Sequence, residues 1–443
     1  MKVPLTPLDG RYYDRITELT NYLSENALIK YRVFVEIEWL KYLLNIVNKT
    51  ASNELHTALD KLFESFTDDS CEEIRNIEAK TKHDVKAVEI WIGNKLKDAG
   101  HVYTVPYIHF GRTSDDINNV AYALMLRDAR KDIVTPNLNK LVESLNVMGN
   151  KYSGFAMLAR THGQPATPTT FGKEMAVFGS RLTRQIINIE NVEILAKFSG
   201  ATGTYAADVV AYPDVNWPEV MNDFISSLDL VYNPITTQIE PHDWIARLNN
   251  ELSLSGTILT DLCRDMWQYI SVGYVKQIAV AGEVGSSTMP HKVNPIDFEN
   301  AESNFGIANA LFNHLSAKLP ISRLQRDLSD SSALRSLSEA YGHYLLALKS
   351  LQKGLSKIEA DPNKMLDDLK DQWELLTEAI QTVMRKNDIS DAYDQMKQLA
   401  RDKTISKEQL HDFINNLEID NNDKQRLLEL SPENYLGLSK ILH

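Results

Sequence analysis

The stretch from Leu334 to Ile358 places apolar side chains at Leu334, Leu337, Tyr341, Tyr344, Leu348, Leu351, Leu355 and Ile358, a strict alternation of three and four. A helix with 3.6 residues per turn puts all of these on one stripe, and such a stripe is buried only in a bundle. At about 1.5 Å per residue it runs roughly 36 Å, so its partners must be equally long. Two candidates are 170–198, with Phe171, Met175, Phe178, Leu182, Ile186 and Ile189 on one face, and 251–281, with Leu252, Leu259, Leu262, Met266 and Tyr269. A third, 114–148, opens on Thr113-Ser114-Asp115-Asp116, hydroxyls that can cap free N–H groups and carboxylates that suit the positive helix end. Pro136 should kink it. Strand signals are scarce, and the best, TYAADVVAYPD at 204–214, reads as an extended excursion between helices. The expected fold is therefore all-α, a long helical bundle, with an N-terminal helical domain over 1–110, a central long-helix bundle over 111–360 and a C-terminal helical domain over 361–443. The seam can close within one chain or continue across subunits.

Charge narrows the partners. The net charge of -13 argues against nucleic acid, so an anionic ligand must meet a local basic cluster. Cys71 and Cys263 lie far apart and outside any CxxC pattern, which gives neither a disulfide framework nor a zinc knuckle. MKVPLTPLDGRYYD has no apolar h-region, and no stretch approaches the roughly 18 apolar residues of a membrane span. The expectation is a cytoplasmic protein with no membrane partner.

Four stretches break the helical pattern and gather polar groups: Lys82-His83-Asp84, Arg112-Thr113-Ser114-Asp115, Thr161-His162-Gly163-Gln164-Pro165 and GSSTMPHKVNP at 285–295. Each falls at an expected loop or helix start, where backbone N–H groups can bind anions. A lone loop histidine is ordinarily a surface or cap residue. His162, however, is flanked by Gly163 and Pro165, which constrain the backbone, and by Thr161 and Gln164, which can hydrogen-bond. His83 reads equally well as part of a helix start, since Thr81-x-x-Asp84 is a cap pattern.

Several chemistries are excluded by pattern. Ser286 lacks glycines two residues to either side, so it is no nucleophile elbow. Neither GxxxxGK[ST] nor GxGxxG occurs, and His83, His162, His242 and His291 are scattered with no HExxH among them. No metal or other cofactor is implied. A proline-bounded loop bearing serines and a lysine suits proton abstraction from carbon next to a carboxylate, where the added negative charge needs cationic and N–H donors such as Lys292 and Asn294. A serine becomes a usable base where closure excludes water, and an imidazole such as that of His162 can protonate a departing nitrogen.

At this point the residues resemble a known family. GSSxMPxKxN is similar to the signature loop of the aspartase/fumarase superfamily, all-helical homotetrameric lyases. Thr161 to Thr167 (THGQPAT), Lys82 to Ala87 (KHDVKA), Thr113 to Asp116 (TSDD) and Thr236 to Asp243 (TTQIEPHD) resemble the bacterial adenylosuccinate lyase branch, as does MPHK where fumarases have MPGK and argininosuccinate lyases MPQK. The likeness runs from Leu8-Asp9-Gly10-Arg11-Tyr12 past Arg335.

That resemblance implies β-elimination of fumarate from adenylosuccinate and from succinylaminoimidazole carboxamide ribotide, in purine biosynthesis, by a homotetramer whose sites are shared between subunits. By carry-over Ser286 is the base and His162 the acid, with Glu299 orienting and charging His162 and His83 helping to position substrate. Ser287, Lys292 and Asn294, with Thr113 and Ser114, would hold the succinyl carboxylates, and Gln238 would contact the substrate between its halves. Lys82, Asp84 and Asn300 join the substrate-binding set, while Arg11, Tyr12, Arg326, Ser331 and Arg335 are the nucleotide and phosphate contacts. Those arginines are the basic cluster that the acidic charge demands. Residue chemistry alone leaves Ser286 and Ser287 unranked, and leaves Arg335 and Glu299 readable as helix-surface charges. A sister lyase or a non-catalytic helical scaffold are the rival readings.

Overall fold

The computed structural model describes residues 3–47, 52–278, 289, 292–400 and 405–442. It divides into two compact units interleaved along the chain: Met1–Leu138 with Gln185–Thr257 and Ser303–Lys349, and Asn139–Arg184 with Ile258–Glu302 and Ser350–His443. Four of the borders fall within the long helices Phe171–Glu190, Asp243–Ser271, Ile296–Lys318 and Leu337–Ser356, of which Ile296–Lys318 was not among the expected bundle stretches.

The stripe that opened the sequence analysis is buried throughout, from Leu334 at 5% exposure to Ile358 at 8%. It is not one helix. Ser329–Leu334 is separate from Leu337–Ser356, and Ile358 opens the short strand Ile358–Ala360. Within the first unit Tyr344 meets Ser255 by hydroxyl–hydroxyl contact and Phe305 and Phe312 edge-on, so three long helices share one aromatic layer. In the second unit Tyr269 packs edge-on against Phe171, and Ser350 donates to Asn300 at 2.6 Å.

The expected helix 114–148 is Ser114–Ala129 followed by Thr135–Lys151, with a π-turn at Arg130–Val134 between them. Pro136 brings no N–H to the helical ladder, and the wider turn just before it absorbs the mismatch while Asn137 donates to the Ile133 carbonyl at 2.7 Å. The first unit also holds Glu25–Ile46, Asn53–Glu64, Asp68–Thr81 and Asp84–Asp98 around a core that includes Val33, Leu40, Leu55 and Trp91. In the second unit short helices from Thr377 to Leu428 enclose Leu376, Ile380, Met384 and Leu410.

Two local expectations are corrected. Residues 204–214 are not extended but contain the helix Ala206–Ala211, because Asp208 turns inward to pair with buried Arg112. The best-formed strands lie elsewhere, in an antiparallel hairpin of Ala156–Thr161 with Gln164–Thr170. Among the described residues no helix is long and apolar enough to cross a membrane.

Candidate active site

His162 sits at the tip of that hairpin. Thr161 pairs with Gln164, which leaves His162 and Gly163 as a two-residue turn, with φ of 53° and 76°. Two successive positive φ values define a type I′ turn, whose twist matches that of the flanking strands. Glycine adopts this conformation freely and histidine tolerates it better than most residues. The imidazole is exposed and makes no hydrogen bond to a described residue. On the same unit Glu299, in helix Ile296–Lys318, accepts from the indole Nε1 of Trp267 at 3.2 Å. Lys292 is exposed, with its N–H on the Met289 carbonyl at 3.0 Å, and Asn294 is half-buried. Asn300 accepts from Ser350. Ser286 and Ser287 lie outside the described residues.

The other candidates belong to the first unit. His83 is the N-cap of Asp84–Asp98, its Nδ1 accepting from the Lys86 N–H at 3.2 Å, so the cap is His83 rather than Thr81. Lys82 precedes it in a left-handed conformation. Asp84 is paired with Arg32 at 2.7 Å and lies 3.8 Å from Arg335. Burial would raise its carboxyl, but these guanidinium groups and the Val85 N–H hold it below the usual range. Arg335 bonds the carbonyl and hydroxyl of Ser331 at 3.1 and 3.3 Å, and Glu25 at 3.0 Å. Beside it a cavity of about 310 Å³ is lined by Arg335, Glu25, Asp9 and Leu334 among others. Arg326 donates to Gln238 at 3.4 Å, and Gln238 donates to the Ala201 carbonyl at 2.9 Å.

Thr113 begins helix Ser114–Ala129 in a capping box with Asp116. Asp116 also takes Lys197 at 2.8 Å and the N–H groups of Ser199 and Gly200, so one buried carboxylate ties the helix start to the loop that carries Ala201. Thus Thr113, Gln238 and Arg326 form one connected neighbourhood and Asp84, Ser331 and Arg335 a second. Arg11 and Tyr12, just before helix Tyr13–Ile16, make no hydrogen bond to the rest of this set among the described residues.

Several charged groups here were given no role by sequence, Arg112 standing only within the stretch Arg112-Thr113-Ser114-Asp115. Arg112 is fully buried between the rings of Trp39 and Phe198, with Asp208 as its partner. Lys197, between Ala196 and Phe198, gave no signal at all. His242 was visible as one of the scattered histidines, and Glu240 within its motif, but not as a cluster. Among the described residues no group of side chains is arranged to hold a metal ion.

Comparison with known proteins adds to this geometry. The family described as "Lyase" matches residues 10–307, and that described as "Adenylosuccinate lyase C-terminal" matches 322–436. An adenylosuccinate lyase of Buchnera aphidicola is 45% identical over 439 residues, covering 98% of this chain and 96% of its own. That of Escherichia coli is 44% identical over 439 residues, with the same coverage. Among solved structures, a fumarate lyase from a Mesorhizobium species superposes with a TM-score of 0.77 at 19% identity, over 97% of this chain and 96% of its own.

Proposed function

The chain belongs to the adenylosuccinate lyase family, and from that premise we propose how its residues divide the reaction. It is a carbon–nitrogen lyase that eliminates fumarate from adenylosuccinate to leave AMP, and from the ribotide of succinylaminoimidazole carboxamide. The observation that carries this reading is identity of 45% sustained over 98% of the chain, which includes the segment that bears His162 and residues 285–295.

Ser286 takes the proton from the carbon next to a succinyl carboxylate. The electron pair expels the nitrogen substituent, and His162 supplies the proton which that nitrogen needs to leave. Charge on the intermediate dicarboxylate falls to Ser287, Lys292 and Asn294 with Thr113 and Ser114, and Asn300 joins them in binding substrate. Glu299 orients and charges His162. On the first unit Arg326, Ser331 and Arg335, with Arg11 and Tyr12, meet the nucleotide and its phosphate, and Gln238 bridges the two substrate halves with Lys82, His83 and Asp84 close behind.

An exposed His162 at a hairpin tip, whose imidazole has no hydrogen-bond partner among the described residues, supports a site completed by neighbouring subunits of a homotetramer. Such a complex is expected in the cytoplasm, each chain keeping its N-terminal, central and C-terminal helical regions. An ultraviolet assay of adenylosuccinate cleavage, run beside sedimentation, tests both parts. Fumarate release by a tetramer is expected; an active monomer contradicts the shared site, and an inactive tetramer contradicts the substrate.

A further inference from the structure

The least expected polar cluster in the first unit surrounds His242. His242 is 2% exposed, as deeply buried as the acidic residues around it: Asp115 at 3%, Glu240 at 1% and Asp330 at 3%. Nδ1 lies 3.8 Å from Glu240 and Nε2 3.6 Å from Asp330, and the His242 N–H donates to Glu240 at 2.7 Å. The backbone at His242 is left-handed, with φ of 64°. Asp115, on helix Ser114–Ala129, accepts from the Glu240 N–H at 3.3 Å, and Lys197 and Arg326 act on Asp115 from their own segments. So many carboxylates out of water are tolerable only if cations and protons balance them.

The charge divides unevenly. Burial raises the carboxyls of Asp115 and Glu240 toward their neutral forms. Burial would likewise raise Asp330 and suppress the imidazolium, yet each overcomes this through the other: Asp330 is held below the usual range and His242 above its own. Asp330 is thus the first partner of the His242 imidazolium, which the facing carboxyls of Glu240 and Asp115 also favour.

Both partners sit next to the nucleotide contacts. Gln238 lies four residues before His242 on the same irregular segment. Asp330 accepts from the Ser331 N–H at 2.6 Å, and Ser331 in turn receives Arg335. The direct link between the two segments, Arg326 to Gln238 at 3.4 Å, is long, and Arg326 Nε is buried with no hydrogen-bond partner among the described residues. We propose that His242 is a positioning residue for substrate binding, its contact with Asp330 fixing the distance between Gln238 on one segment and Arg326, Ser331 and Arg335 on the other. This rests on the proposed assignment of Gln238 to the junction of the substrate halves and of Arg326, Ser331 and Arg335 to the nucleotide.

The test uses the full-length enzyme. His242→Gln keeps a donor toward Asp330 but removes the charge, and Asp330→Asn removes the other half while keeping the shape. Each is expected to raise KM for adenylosuccinate and Kd for AMP about 10-fold, the scale of a coupling lost between two charged groups in contact, with kcat within about twofold. The double variant should be no worse than the poorer single one, because both break the same contact. In the wild type KM should climb as pH rises through the titration of His242, and His242→Gln should flatten that climb. Unmoved KM in the variants of an active enzyme, a fall confined to kcat, additive effects, or failure of both single variants to fold would overturn the proposal. A wild-type enzyme inactive on adenylosuccinate would instead overturn the reading of the substrate.

Discussion

The indole N–H of Trp267 points at the carboxylate of Glu299, 3.2 Å away, from the facing helix Asp243–Ser271. Trp267 is 46% exposed, which is unusual for a side chain so large, and the bond gives its polar edge a use. If Glu299 orients His162, then Trp267→Phe, which keeps the ring and loses the donor, should lower kcat several-fold, the effect of about 1 kcal/mol in an exposed hydrogen bond, while Tm stays within about 1 °C. Steady-state kinetics beside thermal melting will separate the two effects.

Gly163 offers a way to disturb His162 without touching it. Its φ is 76°, and a Cβ added there would meet nothing within 4 Å, so Gly163→Ala strains the backbone alone. Left-handed conformation costs a non-glycine residue about 1 kcal/mol. The hairpin should survive with a small loss of Tm while kcat falls by about tenfold or more, since a catalytic group displaced by an ångström loses much of its advantage. Unchanged kcat would mean that His162 need not be held by this turn.

Arg112 is a buried internal anchor of the first unit. It donates to Asp208 and to the Phe198 carbonyl, both side chains of the ion pair being fully buried. Arg112→Met leaves Asp208 uncompensated in the interior and should cost about 3–5 kcal/mol, read as a lower denaturant midpoint. Adding Asp208→Asn should recover a large part of that loss.

The pair His109–Glu36 makes stability depend on pH. Burial alone would lower the His109 imidazolium, but the 2.6 Å bond to Glu36 raises it above the ordinary value. A group with a raised folded value contributes fully below its unfolded titration and loses that contribution as pH rises through the folded one. Tm should therefore decline above pH of about 6.5, and His109→Gln should flatten that decline as well as lower Tm on the acid side.

Much of this architecture is legible in the residues themselves. Positions 171, 175, 178, 182, 186 and 189 are all buried, as their spacing requires, because a helical period survives in any bundle. What periodicity cannot convey is where a helix gives way to something else. Arg335-Ser336 interrupts the 334–358 stripe without altering its spacing. The hairpin was hidden because Ala156-Met157-Leu158-Ala159 favours helix and Pro165 and Pro168 argue against a strand; a pair with two edges tolerates those prolines. The turn residues His162-Gly163 were its one local signal. Conversely, TYAADVVAYPD read as extended at 204–214, and the tertiary pairing of Asp208 with Arg112 prevailed. The cluster around His242 was illegible because its members come from positions 115, 240, 242 and 330, which only folding joins.

The most direct measurement is single-turnover cleavage of adenylosuccinate by His162→Ala and by Ser286→Ala, beside the wild type. The account expects each variant to fold, assemble and bind substrate, and to turn it over at least about 10²-fold more slowly, as loss of a general acid or base requires. Mixed and reassembled, the two inactive variants should regain part of the activity, since intact acid and intact base would then meet in one site. A His162→Ala enzyme that releases fumarate at close to the wild-type rate would contradict the assignment.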